Sequence, residues 1–225
     1  MANDPARQKS SGSWCVVRDQ WLVLMLRTVF AAYCLLPSLT TDHYSRGVPV
    51  AEPDPVRRLI YRGLKIDLAL QRVELSDGTH VEREVILHRG AVALVPMVDD
   101  QHVCLIENHR YALGKTLLEV PAGTIDAGES PDQTAERELL EETGYRAARI
   151  RRIREWYVSP GFMTERMYLF VCEGLEPGPA QHQPDERLET VIVPWEEALA
   201  MVDDGRIEDA KSMLALTICD RLRKP

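Results

Sequence analysis

Short apolar runs broken by turn residues dominate the chain from Leu59 onward. "LIYRGLKIDLALQRVEL" runs into Asp77-Gly78 and is followed by "THVEREVIL". The pair reads as two β-runs joined by a tight turn, because Asp-Gly adopts positive φ at little cost. "GAVALVPMV" and "HVCLIENHR" are two more runs, parted by Asp99-Asp100-Gln101. Successive hairpins of this kind predict a mostly antiparallel or mixed sheet. The period then changes. Ser130 can cap a helix, Pro131 suits its first position, Gln133 can close a capping box and Gly144 supplies a left-handed stop. A helix over residues 131–143 is therefore expected, with Ala135 and Leu139, four apart, as the apolar stripe that sits on the sheet. Beyond it "RIRRIREWYV", "RMYLFVCEGL" and "ETVIVPW" read as strands, and "WEEALAMVDDG" and "EDAKSMLALTICDRL" as amphipathic helices. Strands, a short helix, more strands and closing helices predict an α+β or layered α/β/α domain.

The first residues follow a different pattern. "WLVLMLRTVFAAYCLL", residues 21–36, is strongly apolar but carries Arg27 at its centre. It is shorter than the roughly 20 residues that span a bilayer, and a mid-bilayer arginine costs about 2.5–3.5 kcal/mol on insertion scales. A helix packed on the domain or on a partner fits it better than a membrane or export role. "SRGVPVAEPDPVRR" has three prolines and no apolar period, so it reads as a linker. The expected division is an extension and linker over 1–56 and a folded domain over 57–225.

Composition narrows the class of partner. Of 225 residues 45% are hydrophobic and 28% charged, as in ordinary globular proteins. The net charge is -8 and the basic residues are scattered, which argues against a nucleic-acid backbone as the main partner. Cys15, Cys34, Cys104, Cys172 and Cys219 lack C-x-x-C spacing and mostly lie in apolar runs. They read as free thiols in a reducing cytoplasm rather than a disulfide framework or a zinc site.

The acidic charge is concentrated. "GTIDAGESPDQTAERELLEETGY", residues 123–145, holds seven acidic side chains, four of them in or beside "RELLEE". On a helix Glu138, Glu141 and Glu142 share one side. Two carboxylates about 4 Å apart repel by about 1 kcal/mol in water and about 4 kcal/mol at an effective dielectric of 20. Such a cluster is tolerable as a solvated face, with Arg137 as a weak ion-pair partner. It is equally suited to a hard divalent cation that cancels the repulsion. Spacing alone leaves both open.

The frame around the glutamates is more specific. Gly123, Glu129 and the run Arg137-Glu138-Leu139-Leu140-Glu141-Glu142-Thr143-Gly144-Tyr145 resemble, at every specified position, the signature of the Nudix hydrolases. "VPAG" before it and "SPGFMTERMYLF" after it, with Pro160 fifteen residues beyond Tyr145, are similar to the ADP-ribose pyrophosphatase branch of that family. The similarity runs from about Tyr61 to Leu216.

That resemblance implies an α/β/α sandwich with a mixed sheet, preceded by an antiparallel N-terminal β region. It implies Mg²⁺, or Mn²⁺, held by Glu138, Glu141 and Glu142 and by the backbone carbonyl of Ala122. Glu129 and Arg137 would form the ion pair that shapes the loop, and Gly123 and Gly144 would serve the backbone conformation. Arg110 matches an arginine that reaches substrate phosphates in relatives. Glu119 would support the site, and Phe162, Met163 and Thr164 would line the cleft. Glu107 stands where many relatives carry arginine, which departs from a two-arginine phosphate clamp. The general base is expected in "PDERLETVIV", at Glu186 or else Glu189, with Glu141 and Glu142 completing the catalytic set.

The implied activity is metal-dependent hydrolysis of the pyrophosphate bond of a nucleoside diphosphate sugar, with ADP-ribose giving AMP and ribose 5-phosphate. Another nucleotide sugar, an NADH-type dinucleotide, or a ligand-sensing module without turnover are the alternatives. The branch also implies a cytoplasmic homodimer acting on a small molecule, with no nucleic acid and no membrane.

Overall fold

The computed structural model describes residues 57–179 and 188–224. The apolar segment 21–36, the linker before Arg57, and Glu186 lie outside the described residues. The chain begins with three antiparallel strands, β1 (Arg57–Arg62), β2 (Asp67–Glu74) and β3 (His80–Leu87), paired in that order. Here the structure corrects one expectation: the run from Leu59 to Leu75 is a hairpin and not a single strand. Gly63 turns the chain, its N–H donating to the Ile66 carbonyl at 2.9 Å and to Asp67 Oδ1 at 3.2 Å. A side chain at Gly63 would meet the Ile66 carbonyl oxygen at 2.5 Å, so the turn requires glycine. The Asp77-Gly78 turn forms as expected, with Gly78 at φ 80° and Asp77 accepting from the Thr79 N–H and hydroxyl.

β4 (Ala91–Pro96) is buried along its whole length. It pairs in parallel with β9 (Arg166–Pro177) and antiparallel with the three-residue β7 (Ala122–Thr124), and β8 (Tyr145–Tyr157) closes the far edge beyond β9. Its alternation divides the core. Ala91, Ala93 and Val95 join one cluster with Val103, Leu105, Leu169, Leu216 and Trp195. Val92 and Leu94 join the other with Ala135, Leu139, Phe170 and Cys172. A strand covered on both faces loses the polar half of its pattern, which is why "AVALV" is continuous. Truncating Leu94 or Phe170 there would cost about 2–5 kcal/mol.

Helix α1 (Pro131–Thr143) supplies the second cluster, and its ends are those expected. Ser130 accepts from the Gln133 N–H while the Gln133 side chain accepts from the Ser130 N–H, and Gly144 stops the helix at φ 72°. Helices α2 (Trp195–Asp203) and α3 (Ala210–Arg223) cover the first cluster. A further antiparallel sheet, in the order β10 (Leu188–Pro194), β5 (His102–Arg110), β6 (Lys115–Glu119), completes the described residues. The whole is an α+β arrangement of mixed sheet between helices, behind an antiparallel β region. β8 is an edge strand with exposed Arg146, Arg149, Arg151, Arg152 and Arg154, and charge of that density discourages a second sheet from adding to the edge. Among the described residues no helix is long and apolar enough to cross a membrane.

Candidate active site

Local structure brings the acidic residues against a turn of bare backbone. Ala135 and Leu139, both fully buried, anchor α1 on the sheet. This rotates Glu138 and Glu142 inward, where they too are buried, and leaves Glu141 half-buried. β7 lies opposite. The Ala122 N–H donates to Glu142 Oε2 at 2.8 Å. The Glu138 carboxylate lies directly over Gly123, so that a methyl group built there would fall 1.8 Å from Glu138 Oε1. Gly123 is needed here for the empty space above its Cα, since its backbone lies outside the left-handed region.

Arg137 ties loop to helix. Its Nε donates to Glu129 Oε1 at 3.0 Å and its Nη2 to Glu129 Oε2 at 2.9 Å. Its Nη1 is shared between Glu138 Oε1 at 2.8 Å and Glu141 Oε2 at 3.0 Å. Nη2 also reaches the Thr124 carbonyl at 3.3 Å, on the far side of the loop. The Thr134 hydroxyl donates to Glu129 Oε2 at 2.8 Å. The Arg137 hydrogen bond, helped by Thr134 and by the charge of the guanidinium, holds the Glu129 carboxyl down at about 2. The same bond to Glu129, with the charge of Glu138, raises the already high pKa of Arg137. Glu129 and Arg137 thus form an ion pair, and Arg137 in addition supplies the positive charge between two of the clustered glutamates.

Among the described residues no three acidic, histidine or cysteine side chains converge on one point as a closed metal shell would. The donor set nevertheless fits a hard divalent ion. Glu138, Glu141 and Glu142 offer only oxygens, the ligand type such ions take. A cation already bridges two of the three, in the form of the Arg137 guanidinium. The pocket over Gly123 that a Cβ would fill gives the Glu138 carboxylate its place beside the β7 backbone.

The other expected residues fall into three groups. Arg110, at the end of β5, is engaged on Glu119, Nε to Oε1 at 2.7 Å and Nη2 to Oε2 at 2.5 Å. Those hydrogen bonds raise its pKa, with the charges of Glu119, Asp209 and Glu142 adding to the effect. Glu119 is fully buried and has a second cation, Lys211 at the start of α3. Phe162, Met163 and Thr164 form a turn stitched to the end of β3: Ile86 N–H donates to the Phe162 carbonyl at 2.8 Å and His88 N–H to Thr164 Oγ1 at 2.9 Å. The Thr164 hydroxyl donates in turn to the His88 carbonyl, so it serves the backbone, while Phe162 projects into solvent, 51% exposed. Glu189 lies on β10 directly opposite Glu107 on β5. With His109, Thr116 and Leu188 these two carboxylates line a cavity of about 400 Å³. Strand alternation puts Glu107 and His109 on the opposite face of β5 from Arg110.

Lys211 and Asp209 escape a reading of the sequence. Glu119, which Lys211 reaches while holding Asp209, lies 92 positions from Lys211, and no spacing rule connects them. The one local signal is Asp209 two residues before Lys211 at a helix start.

A NUDIX domain model matches residues 87–216, more than half of the chain. The ADP-ribose pyrophosphatase of Bacillus subtilis (strain 168) is 38% identical over 159 residues, 70% of this chain and 86% of that protein. The methanol dehydrogenase activator of Bacillus methanolicus is 35% identical over 159 residues, with the same shares of the two chains. A GDP-mannose pyrophosphatase of Yersinia pestis (strain Pestoides F) is 36% identical over 164 residues, 64% of this chain and 78% of that one. Among solved structures, one described as an ADP compounds hydrolase superposes with a TM-score of 0.66 at 26% identity, covering 75% of this chain and 91% of its own.

Proposed function

The chain belongs to the Nudix family, and from that premise we propose that it is a pyrophosphohydrolase of nucleoside diphosphate sugars, cleaving ADP-ribose to AMP and ribose 5-phosphate. The observation that carries the reading is the closure of the acidic helix face on β7, with Glu138 over Gly123 and Glu142 on the Ala122 N–H. Two buried carboxylates held against half-buried backbone are costly unless positive charge meets them, a need that Arg137 serves at Glu138. A solvated acidic face would not be turned inward in this way.

Nudix hydrolases generally use divalent metal ions, and Mg²⁺ or Mn²⁺ suits an all-oxygen donor set. Glu138, Glu141, Glu142 and the Ala122 carbonyl are the residues proposed to hold it. When bound, such an ion neutralises diphosphate charge and lowers the pKa of a water it carries. The chain's own residues orient and select. Arg137, through Glu129 and the Thr124 carbonyl, fixes the loop so that the helix glutamates keep their positions. Arg110, whose side chain is 40% exposed and whose charge is felt by Glu142, is proposed to take a substrate phosphate oxygen. Glu186 is proposed as general base; the sequence alternative Glu189 faces Glu107, on the side of β5 away from Arg110. Phe162 and Met163 are assigned to the cleft wall, the exposure of Phe162 supporting a role against the substrate.

The domain is assigned to residues 57–225, with 1–56 as an extension. A homodimer is supported by the apolar side chains that β1 and its turn leave in solvent, among them Ile60, Tyr61 and Leu64. Reduced, buried thiols at Cys104, Cys172 and Cys219, each pushed up to about 12 by burial, support a cytoplasmic site.

A panel of ADP-ribose, UDP-glucose, GDP-mannose, NADH and a diadenosine polyphosphate, incubated with Mg²⁺ and scored for phosphate monoesters, tests the proposal. ADP-ribose should be cleaved fastest. A clear preference for GDP-mannose or another hexose nucleotide would move the substrate assignment, and absence of turnover on every compound would leave a ligand-binding module.

A further inference from the structure

Glu119 is fully buried, yet it holds two cations. Arg110 grips it with two hydrogen bonds, at 2.7 and 2.5 Å, and Lys211 Nζ donates to Oε2. The two differ in where they sit. The Arg110 side chain is 40% exposed and that of Lys211 only 14%. Lys211 is pinned from behind by Asp209 Oδ2 at 2.9 Å. Asp209 caps α3 by accepting from the Ser212 N–H at 2.9 Å and the Ser212 hydroxyl at 2.5 Å. Ser212 Oγ in turn accepts from the Val120 N–H at 2.9 Å. The first turn of α3 is therefore fastened to Glu119 and Val120, the residues just before β7 with its Ala122 and Gly123.

This arrangement matters for Arg110. A guanidinium locked on a buried carboxylate cannot turn to a phosphate without leaving that carboxylate behind, and a buried charge stripped of its partner is strongly unfavourable. Lys211 changes that balance of charge. Glu119 and Asp209 carry two negative charges, balanced by Arg110 and Lys211. When Arg110 leaves, Lys211 still touches both carboxylates. Without Lys211 the buried Glu119 would have Arg110 alone, and releasing it would strand that carboxylate, while Asp209 keeps its Ser212 donors.

We propose that Lys211 is a positioning residue for diphosphate binding: by remaining on Glu119 it allows Arg110 to exchange that carboxylate for a substrate phosphate. The inference rests on the reading of Arg110 as a phosphate-binding residue, and the experiment separates the two. KM and kcat for ADP-ribose with Mg²⁺ are measured for the full chain and for Arg110→Ala, Lys211→Met, Glu119→Gln and the Glu119→Gln/Lys211→Met pair, alongside melting temperatures. Lys211→Met should raise KM about tenfold with kcat within about twofold, the size of one lost charge-assisted phosphate contact. In the Glu119→Gln background no buried charge detains Arg110, so adding Lys211→Met should change KM less than about twofold. A purely structural lysine would not show this coupling. Should Lys211→Met melt below the assay temperature, Lys211→Gln takes its place, keeping a donor without the charge.

If Arg110→Ala raises KM while the Lys211 variant leaves it unchanged, or if the Lys211 effect is as large with Glu119→Gln as without it, the counter-ion role is wrong and the phosphate reading stands. If Arg110→Ala leaves KM unchanged, both fall.

Discussion

Adding one methyl group at Gly123 tests the candidate site through sterics alone. Gly123 lies in β7, paired with Val92, and its φ is outside the left-handed region, so alanine is compatible with the backbone. The new Cβ would lie 1.8 Å from Glu138 Oε1, 1.9 Å from its Cδ and 2.5 Å from Oε2. Heavy atoms in favourable contact sit about 3.5–4.0 Å apart, so the carboxylate must retreat by roughly 1.5–2 Å. A misplacement of about 1 Å in a reacting constellation can cost about 100-fold in rate, so kcat for Gly123→Ala should fall at least about 100-fold. Stability should change much less. Overpacking costs about 1–3 kcal/mol and is partly offset by the 0.4–1 kcal/mol or so that alanine gains over glycine through the unfolded chain. At about 2–4 °C per kcal/mol the melting temperature should drop by less than about 12 °C. AMP release followed by chromatography and a thermal melt on the same preparation read both quantities. A Gly123→Ala protein that keeps kcat within about threefold and an unaltered Mg²⁺ requirement would refute the placement of Glu138 in the reacting site.

Other outcomes follow from the same geometry. Glu142→Gln keeps an acceptor for the Ala122 N–H but removes the charge, so turnover should fall at least about 100-fold with little change in melting; unchanged turnover would remove Glu142 from the metal site. Ser130→Ala removes half of the capping box and should lower stability by about 1 kcal/mol, with kcat unaffected, as read from denaturant unfolding. The Glu129 carboxyl is held at about 2 in the folded state, below its unfolded value near 4.5, so its contribution to stability is present above about pH 4.5 and is lost as pH falls toward 2. Melting curves between pH 7 and 2.5 should therefore converge for the wild type and Glu129→Gln at the acid end, and parallel curves would contradict the pairing with Arg137.

Much of the architecture could be read where local signals agree with tertiary ones. Residues 131–143 carry a capping box, a proline at the first position and a glycine stop, and the helix has those bounds. β5 matches its apolar run from His102 to Arg110 because Asp99-Asp100-Gln101 ends the preceding strand with a turn. The hairpin at Gly63 was hidden because Leu64 and Ile66 keep the apolar pattern running through the turn. β6 and β7 have five and three residues and are strands only by virtue of their partners, so no period announces them. At the site, the "RELLEE" spacing located the glutamates, and Arg137 lies four residues from Glu141, the spacing that the observed pair uses. The support for Arg110 was illegible. It depends on β6 and the first turn of α3 meeting at Glu119, a contact between distant parts of the chain.

The most direct test of the account is Mn²⁺ binding, followed by electron paramagnetic resonance in the presence of a non-hydrolysable α,β-methylene analogue of ADP-ribose. The wild type should hold Mn²⁺ together with the analogue, and the combined Glu138→Gln, Glu141→Gln, Glu142→Gln variant should lose that bound signal while remaining folded. Equal Mn²⁺ occupancy in the two proteins would contradict the claim that these three carboxylates seat the ion.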